Sequence, residues 1–237
     1  MSCNCNKDKL KIQHLAVITN EVVTNDYYDF KSVKNPENIK YVVDMGANFG
    51  VTSLFAAKLF PNATIFAVEP FTHDELVTRT KHEPRIVTLR AALGRNGEAV
   101  KCSNPENRSY GGFQGVKDEF GVPCRSFGGL LELFHIKEED YSKTIIKMDI
   151  EGAEYHWKDE LGIVKDGKSY DGYDYNFKLI NKFAHFSAEF HYGNLYTPNV
   201  DKNYYYNKLV EFNIPIKIWK RKVHTCRFVR GDTNVSK

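Results

Sequence analysis

The chain has 237 residues, 42% hydrophobic and 27% charged, with a formal net charge of +3. That length allows one sizeable core and is short for two, and a charge this small neither requires nor forbids a nucleic-acid partner. No run reaches the roughly 18 apolar residues of a membrane span, Met1–Lys11 lacks a secretory apolar core, and the five cysteines are odd in number and scattered, so a cytoplasmic protein with free thiols is expected.

Residues 1–11 are polar and expected to fray. Lys11–Val23 holds an apolar run that fits a strand or a helix equally, and Asn25–Asn38 reads as a helix or lid beside the sheet. Residues 1–40 are therefore set apart as an N-terminal segment, and 41–237 as a single domain with insertions near 95–125 and 158–178. From Tyr41 the order is regular: strand 41–44, helix 51–60, strand 64–69, helix 73–83, then strand 85–89 after Pro84. Strands alternating with helices predict a Rossmann-like, doubly wound, mostly parallel α/β sheet, with ligands at the carboxyl ends of the strands. Between Gly94 and Arg125 the short pieces AVKCS and GVPCRS predict an inserted β-hairpin before the fourth strand. Helix 129–134 leads to the apolar strand 144–150. The polar, Tyr-rich passage from Lys158 to Asn176 reads as a long loop, followed by strand 183–190 and helix 201–212. Two alternating runs, 214–219 and 225–229, predict an antiparallel pair at the C-terminal edge.

The stretch YVVDMGANFG at 41–50 concentrates the chemistry. A buried strand ends on Asp44 and turns through Gly46, Asn48 and Gly50 into a helix, so that backbone amides are left facing a ligand. The spacing is G-x-x-x-G rather than the G-x-G-x-x-G of a pyrophosphate site. A strand-end carboxylate repels phosphate and favours an ammonium. S-adenosylmethionine, with an ammonium, a sulfonium and no phosphate, fits this turn better than NAD. A tight turn without a ligand is the alternative that the motif alone leaves open.

Two further strand ends add to it. Glu69 closes the next strand about 20 residues on, where a carboxylate can accept from a ribose diol. Pro70 stops that strand and Phe71 is placed to lie on an adenine face. The segment Asp149-Ile150-Glu151-Gly152-Ala153-Glu154 then gathers three carboxylates around a glycine turn. Macrodipole compensation accounts for Glu151 and Glu154 but not for Asp149. Beyond it, strand 183–190 brings Glu189 and His191 toward the same sheet edge.

These pieces, VVDMGANFG at 42–50, FAVEP at 66–70, AALG at 91–94, IIKMDIEGAE at 145–154 and SAEFH at 187–191, together resemble the FkbM-like methyltransferases, a branch of the class I S-adenosylmethionine-dependent enzymes. The resemblance spans about 150 residues in order. It implies that Asp44, Gly46, Asn48 and Gly50 line the methionine end, that Glu69 holds the ribose, that Ala92 lies near the adenine, and that Asp149 lies near the reactive methyl. Met45 stands where a small β-branched residue is usual, the Tyr-rich stretch at 165–176 is longer than the family pattern, and the hairpin region has no aligned counterpart; the last two bear on the acceptor.

A hydroxyl acceptor, on a sugar or another small metabolite, must lose a proton, whereas an amine can lose it after transfer. His191 or Asp149 is the expected base, with Glu189 or Glu151 orienting it; His titrates near neutrality unaided. No metal ligands are assigned, although Asp149 and Glu151 could instead bind a divalent ion. The rival readings are an N-methyltransferase on a peptide or amine, an RNA ribose methyltransferase using Lys147, Asp149 and Glu189 with a basic run at Lys217, Lys220, Arg221 and Lys222, and a binder that kept the fold without catalysis.

Overall fold

The computed structural model describes residues 3–102, 115–154, 163–165, 168–170, 172–191, 203–221 and 225–231. Its frame is a seven-stranded sheet built from β1 (Tyr41–Met45), β2 (Thr64–Val68), β3 (Ile86–Leu89), β8 (Thr144–Met148), β11 (His185–His191), β12 (Ile216–Arg221) and β13 (Thr225–Arg230). The spatial order is β12-β13-β11-β8-β1-β2-β3. Pairings from β3 through β11 are parallel, and β13 runs antiparallel to both β11 and β12. The expected doubly wound sheet with a reversed C-terminal strand is the fold observed.

Period-two alternation divides this sheet between two cores. Val43, Met45, Phe66, Ile146, Met148, Phe186 and Phe228 face one layer, which includes α4 (Phe127–Leu133) and α6 (Tyr204–Glu211) through Leu130 and Leu209. Val42, Ile65 and Ile145 face the other, covered by Phe55 and Ala56 of α2 (Val51–Leu59) and by Tyr28 and Phe30 of the N-terminal segment. Asp44 shares the Val42 face, and this alternation decides its role below.

Several local expectations are corrected. Residues 3–19 are helical (α1, Cys3–Thr19) rather than frayed, and continue into a π-helical turn, Asn20–Thr24. The 25–38 stretch forms two 3-10 turns, Phe30–Ser32 and Pro36–Asn38, because Asp29 and Asn35 adopt φ of +60° and +51° and break any longer helix. In place of a lone hairpin, β4 (Ala92–Leu93), β5 (Ala99–Cys102), β6 (Gly115–Lys117) and β7 (Val122–Arg125) make a four-stranded sheet in the order β4-β7-β5-β6. Within the Tyr-rich passage the described residues form a hairpin, β9 (Ile163–Lys165) with β10 (Lys168–Tyr170), and the start of α5 (Gly172–Ile180). Phe177, Leu179 and Ile180 bury the end of that helix, an apolar anchor just beyond the polar run. Among the described residues no helix is long and apolar enough to cross a membrane.

Candidate functional site

The first crossover sets the cradle. β1 ends at Met45, Gly46 turns with φ +78°, Asn48 takes φ +49°, and Gly50, at φ +81°, is the N-cap of α2. The amides of Gly46 and Ala47 both reach the Val68 carbonyl at 3.0 Å, so the turn is stitched to the end of β2. A cavity of about 270 Å³ opens over the carboxyl ends of β1, β2, β8 and β11. Gly46, Asn48, Glu69, Pro70, Phe71 and Ala92 line one part of it. Asp149, Glu151, Glu189 and His191 line another. The N-terminal segment closes the rim through Ile18, Glu21, Tyr27 and Tyr28, while Lys11 pairs with Glu75 at 3.1 Å and holds α1 to α3 (His73–Thr80).

Asp44 and Gly50 are absent from this wall, and for Asp44 that is a correction with a clear cause. In the β1–β8 register Asp44 lies beside Lys147, on the face covered by α2. Its carboxylate sits 3.1 Å from the Lys147 ammonium and accepts from Ser53 Oγ at 2.6 Å, fully buried. Asp44 therefore meets a protein cation rather than a ligand ammonium. Lys147 also donates to the Gly46 carbonyl at 2.8 Å, and lies 5.2 Å from the Tyr28 ring. Burial alone would lower its pKa, but the neighbouring carboxylates, Asp44 foremost, raise it, so it stays charged.

Glu69 reaches the wall but is already engaged. It accepts from the backbone amides of Asn48, Phe71 and Thr72 at 2.9, 2.8 and 3.0 Å, tying the glycine turn to the start of α3. A carboxylate has about four lone-pair sites. One remains for a ligand, so Glu69 cannot hold both hydroxyls of a ribose by itself with strong bonds.

Thr72 supplies what the sequence reading missed. It is the N-cap residue of α3, where a threonine hydroxyl ordinarily accepts from the first turn, yet it makes no such bond. The hydroxyl is buried without a hydrogen-bond partner, and the residue lies on the cavity wall. Asn48 Oδ1 is likewise a buried, unmatched acceptor on that wall. Unsatisfied polar atoms cost about 1–3 kcal/mol each, and these two belong to residues of the cavity wall. A threonine three residues after the strand-end glutamate, in V-E-P-F-T at 68–72, was the available signal.

At the other end Tyr28 donates to Asp149 Oδ2 at 2.8 Å, and Tyr27 lies close enough to Glu189 to feel its charge. Burial, then the nearby carboxylates, push both phenols far above their ordinary range, so each is a donor and neither is a base. His191 is corrected as well. Its Nδ1 lies 3.1 Å from Glu154, its Nε2 3.2 Å from Glu151 and 4.0 Å from Asp149. Burial opposes its charge, but Glu154 and Glu151 outweigh it and hold the pKa well above the usual value. With both nitrogens facing carboxylates, His191 without an ion is held as an imidazolium and does not serve as the base; only a cation that displaces the Nε2 proton takes that lone pair.

His185, on the same strand, behaves oppositely. Its Nε2 lies 2.8 Å from the Tyr28 carbonyl, and burial pulls its pKa down to about 4. A folded-state pKa below the ordinary 6.5 means that its contribution is present above that value and is lost as pH falls from about 6.5 to 4, up to roughly 3 kcal/mol. His191, raised rather than lowered, acts in the opposite sense: its contribution is fully present well below pH 6.5 and is lost as pH rises above it. A His185→Gln variant, which keeps a donor for Tyr28, is expected to show a flatter fall in urea-unfolding free energy between pH 6.5 and 4.5.

No family model and no curated protein matches the chain. Solved structures similar to it include methyltransferase FkbM from Methylobacillus flagellatus KT, at 16% identity and TM-score 0.44, over 81% of this chain and 44% of that one. The chain thus spans less than half of that protein's length. It is also similar to a SAM dependent methyltransferase from Aquifex aeolicus, at 10% identity and TM-score 0.43, over 89% of this chain and 92% of that one. A third is the N-terminal domain of EvdMO1 with SAH bound, at 10% identity and TM-score 0.42, over 86% and 79%. By its own sheet order and cradle the chain belongs to the Rossmann-like α/β class, with its cavity at the carboxyl edge.

Proposed function

We propose that the chain is an S-adenosylmethionine-dependent methyltransferase acting on a hydroxyl of a sugar or small metabolite. The observation that carries this is the charge of the cradle: Glu21, Glu69, Asp149, Glu151 and Glu189 all line the cavity, while Lys147 is neutralised by Asp44. A pyrophosphate would be repelled there, and a nucleoside bearing an ammonium and a sulfonium is favoured.

The residues present fit that donor. Gly46 and Asn48 bring the backbone to the methionine end, while Glu69 keeps one acceptor for the ribose and Thr72, its hydroxyl unmatched, needs only a side-chain rotation to join it. When bound, S-adenosylmethionine supplies a methyl activated by the sulfonium, with a leaving group that needs no proton. The chain's own tasks are to align the acceptor, exclude water and take one proton. Tyr28 fixes Asp149 and Tyr27 lies beside Glu189, the two carboxylates placed to do so. An RNA acceptor is less well supported, since Lys147 is buried in an ion pair and Lys217 is bound to Asp29 at 2.6 Å.

Calorimetric titration tests the donor, with S-adenosylmethionine expected to bind and NAD not. A Thr72→Val variant should keep its melting temperature and bind S-adenosylmethionine about tenfold more weakly, the value of one hydrogen bond near 1.4 kcal/mol. Binding of NAD with none of S-adenosylmethionine would overturn the reading. A radiolabelled methyl-transfer screen over glycans, small hydroxyl metabolites, amines and RNA then identifies the acceptor.

A further inference from the structure

We propose that Asp149, Glu151 and His191 form a divalent-cation site at the acceptor end of the cavity. One donor atom from each lies within 4.8 Å of the others. His191 Nε2 is 3.2 Å from Glu151 Oε2 and 4.0 Å from Asp149 Oδ1. For an ion with bonds of about 2.1 Å, adjacent donors stand about 3.0 Å apart and opposite donors about 4.2 Å apart. The two separations from His191 fall close to those values and the third is within 4.8 Å, so a small inward shift of the carboxylates lets one ion, displacing the Nε2 proton, bind all three atoms.

Groups outside the triad aim two of its donors. Tyr28, from the N-terminal segment, occupies Asp149 Oδ2 and leaves Oδ1 toward the histidine. Glu154 binds His191 Nδ1, which turns Nε2 toward the cavity. Glu154 is itself fixed by the amides of Ile150 and Gly152 at 3.1 and 2.9 Å. A carboxylate behind a ligating imidazole is the usual outer support of a metal site. An imidazole with two carboxylates suits Mn²⁺, Fe²⁺ or Zn²⁺ better than an all-oxygen preference would. Lys147, held by Asp44 and the Gly46 carbonyl, is not free to supply that positive charge.

Asp149 and Glu151 are 24% and 32% exposed, so the ion's remaining positions open onto the cavity. There it would bind the acceptor's oxygen, lower the pKa of its O–H and let the proton pass to Glu189, a lining carboxylate outside the triad. This acceptor role rests on the methyltransferase reading; the ion site does not.

The test uses Mn²⁺ alone with the full chain, followed by calorimetry and by the loss of the free-ion paramagnetic resonance signal. One ion per chain is expected. Glu151→Gln, at a partly exposed position, should fold, with a melting temperature in EDTA within about 4 °C of wild type, and weaken Mn²⁺ binding at least tenfold. His191→Ala is a second variant, expected to abolish binding but exposed to misfolding. No binding at millimolar Mn²⁺, or equal affinity in wild type and Glu151→Gln, would show a purely internal ion cluster and overturn the site. S-adenosylmethionine is titrated separately in EDTA, so that loss of the ion site leaves the donor reading intact, and loss of donor binding leaves the ion site to stand.

Discussion

A Gly46→Ala substitution is expected to lower the melting temperature by about 10 °C and to abolish measurable S-adenosylmethionine binding. Two effects add. The residue sits at φ +78°, where an L side chain costs about 1–2 kcal/mol. A Cβ there would also stand 1.8 Å from the Asp149 carbonyl oxygen and 2.8 Å from its carbon. Neither is a flexible side-chain tip, so the turn and the end of β8 must separate. That displaces Asn48 from Glu69 and moves Asp149 at the same time, since the Asp149 amide is bonded to the Met45 carbonyl. A total near 4 kcal/mol corresponds to the stated shift for a chain of this size. Gly97→Ala provides the comparison: its φ is +86° but no atom lies within 4 Å of the added carbon. It should cost only the conformational part, about 1–2 kcal/mol, and leave ligand affinity unchanged. Equal losses from the two variants would mean that close approach at Gly46 is not what shapes the cradle.

The sheet was legible in the sequence because its strands are short apolar runs ending on acids, separated by helices of regular length. The turn was legible for a local reason: Gly46, Asn48 and Gly50 are the residue types that accept positive φ, and all three adopt it. What a carboxylate faces depends instead on register, which the sequence does not print. Asp44 and Glu69 look alike as strand-end acids. Asp44 is the fourth residue of a five-residue strand and shares the Val42 face, beside Lys147; Glu69 lies one residue beyond β2 and is free to turn back over the cradle. His191 was misjudged on similar grounds. A histidine read singly has a neutral-pH pKa, but Glu154 and Glu151 reach it from a turn that lies 37 to 40 residues earlier. Tyr27 and Tyr28 gave no periodic signal, since they sit in a stretch held by 3-10 turns and by the Asp26 side chain, which accepts from the Phe30 and Lys31 amides.

Lys147→Met is expected to destabilise the chain by about 3–5 kcal/mol, because it leaves the Asp44 charge fully buried opposite a thioether. Asp44→Asn should cost a similar amount by stranding the ammonium, although Lys147 keeps its bonds to the Met45 and Gly46 carbonyls. The double variant should cost less than the sum of the two, with a coupling of about 2–3 kcal/mol, since removing both charges removes the unpaired one. Urea unfolding of the four chains measures that coupling directly. The same set separates two roles for Asp44. A carboxylate that gripped a ligand ammonium would be dispensable for stability, and its amide would fold normally and bind S-adenosylmethionine at least tenfold more weakly. A carboxylate that anchors Lys147 gives the reverse: Asp44→Asn loses stability, and its folded fraction at low temperature binds the donor within about threefold of wild type. Lys147→Met should weaken donor binding more than Asp44→Asn does, because the Gly46 carbonyl then loses the ammonium that holds the turn in place.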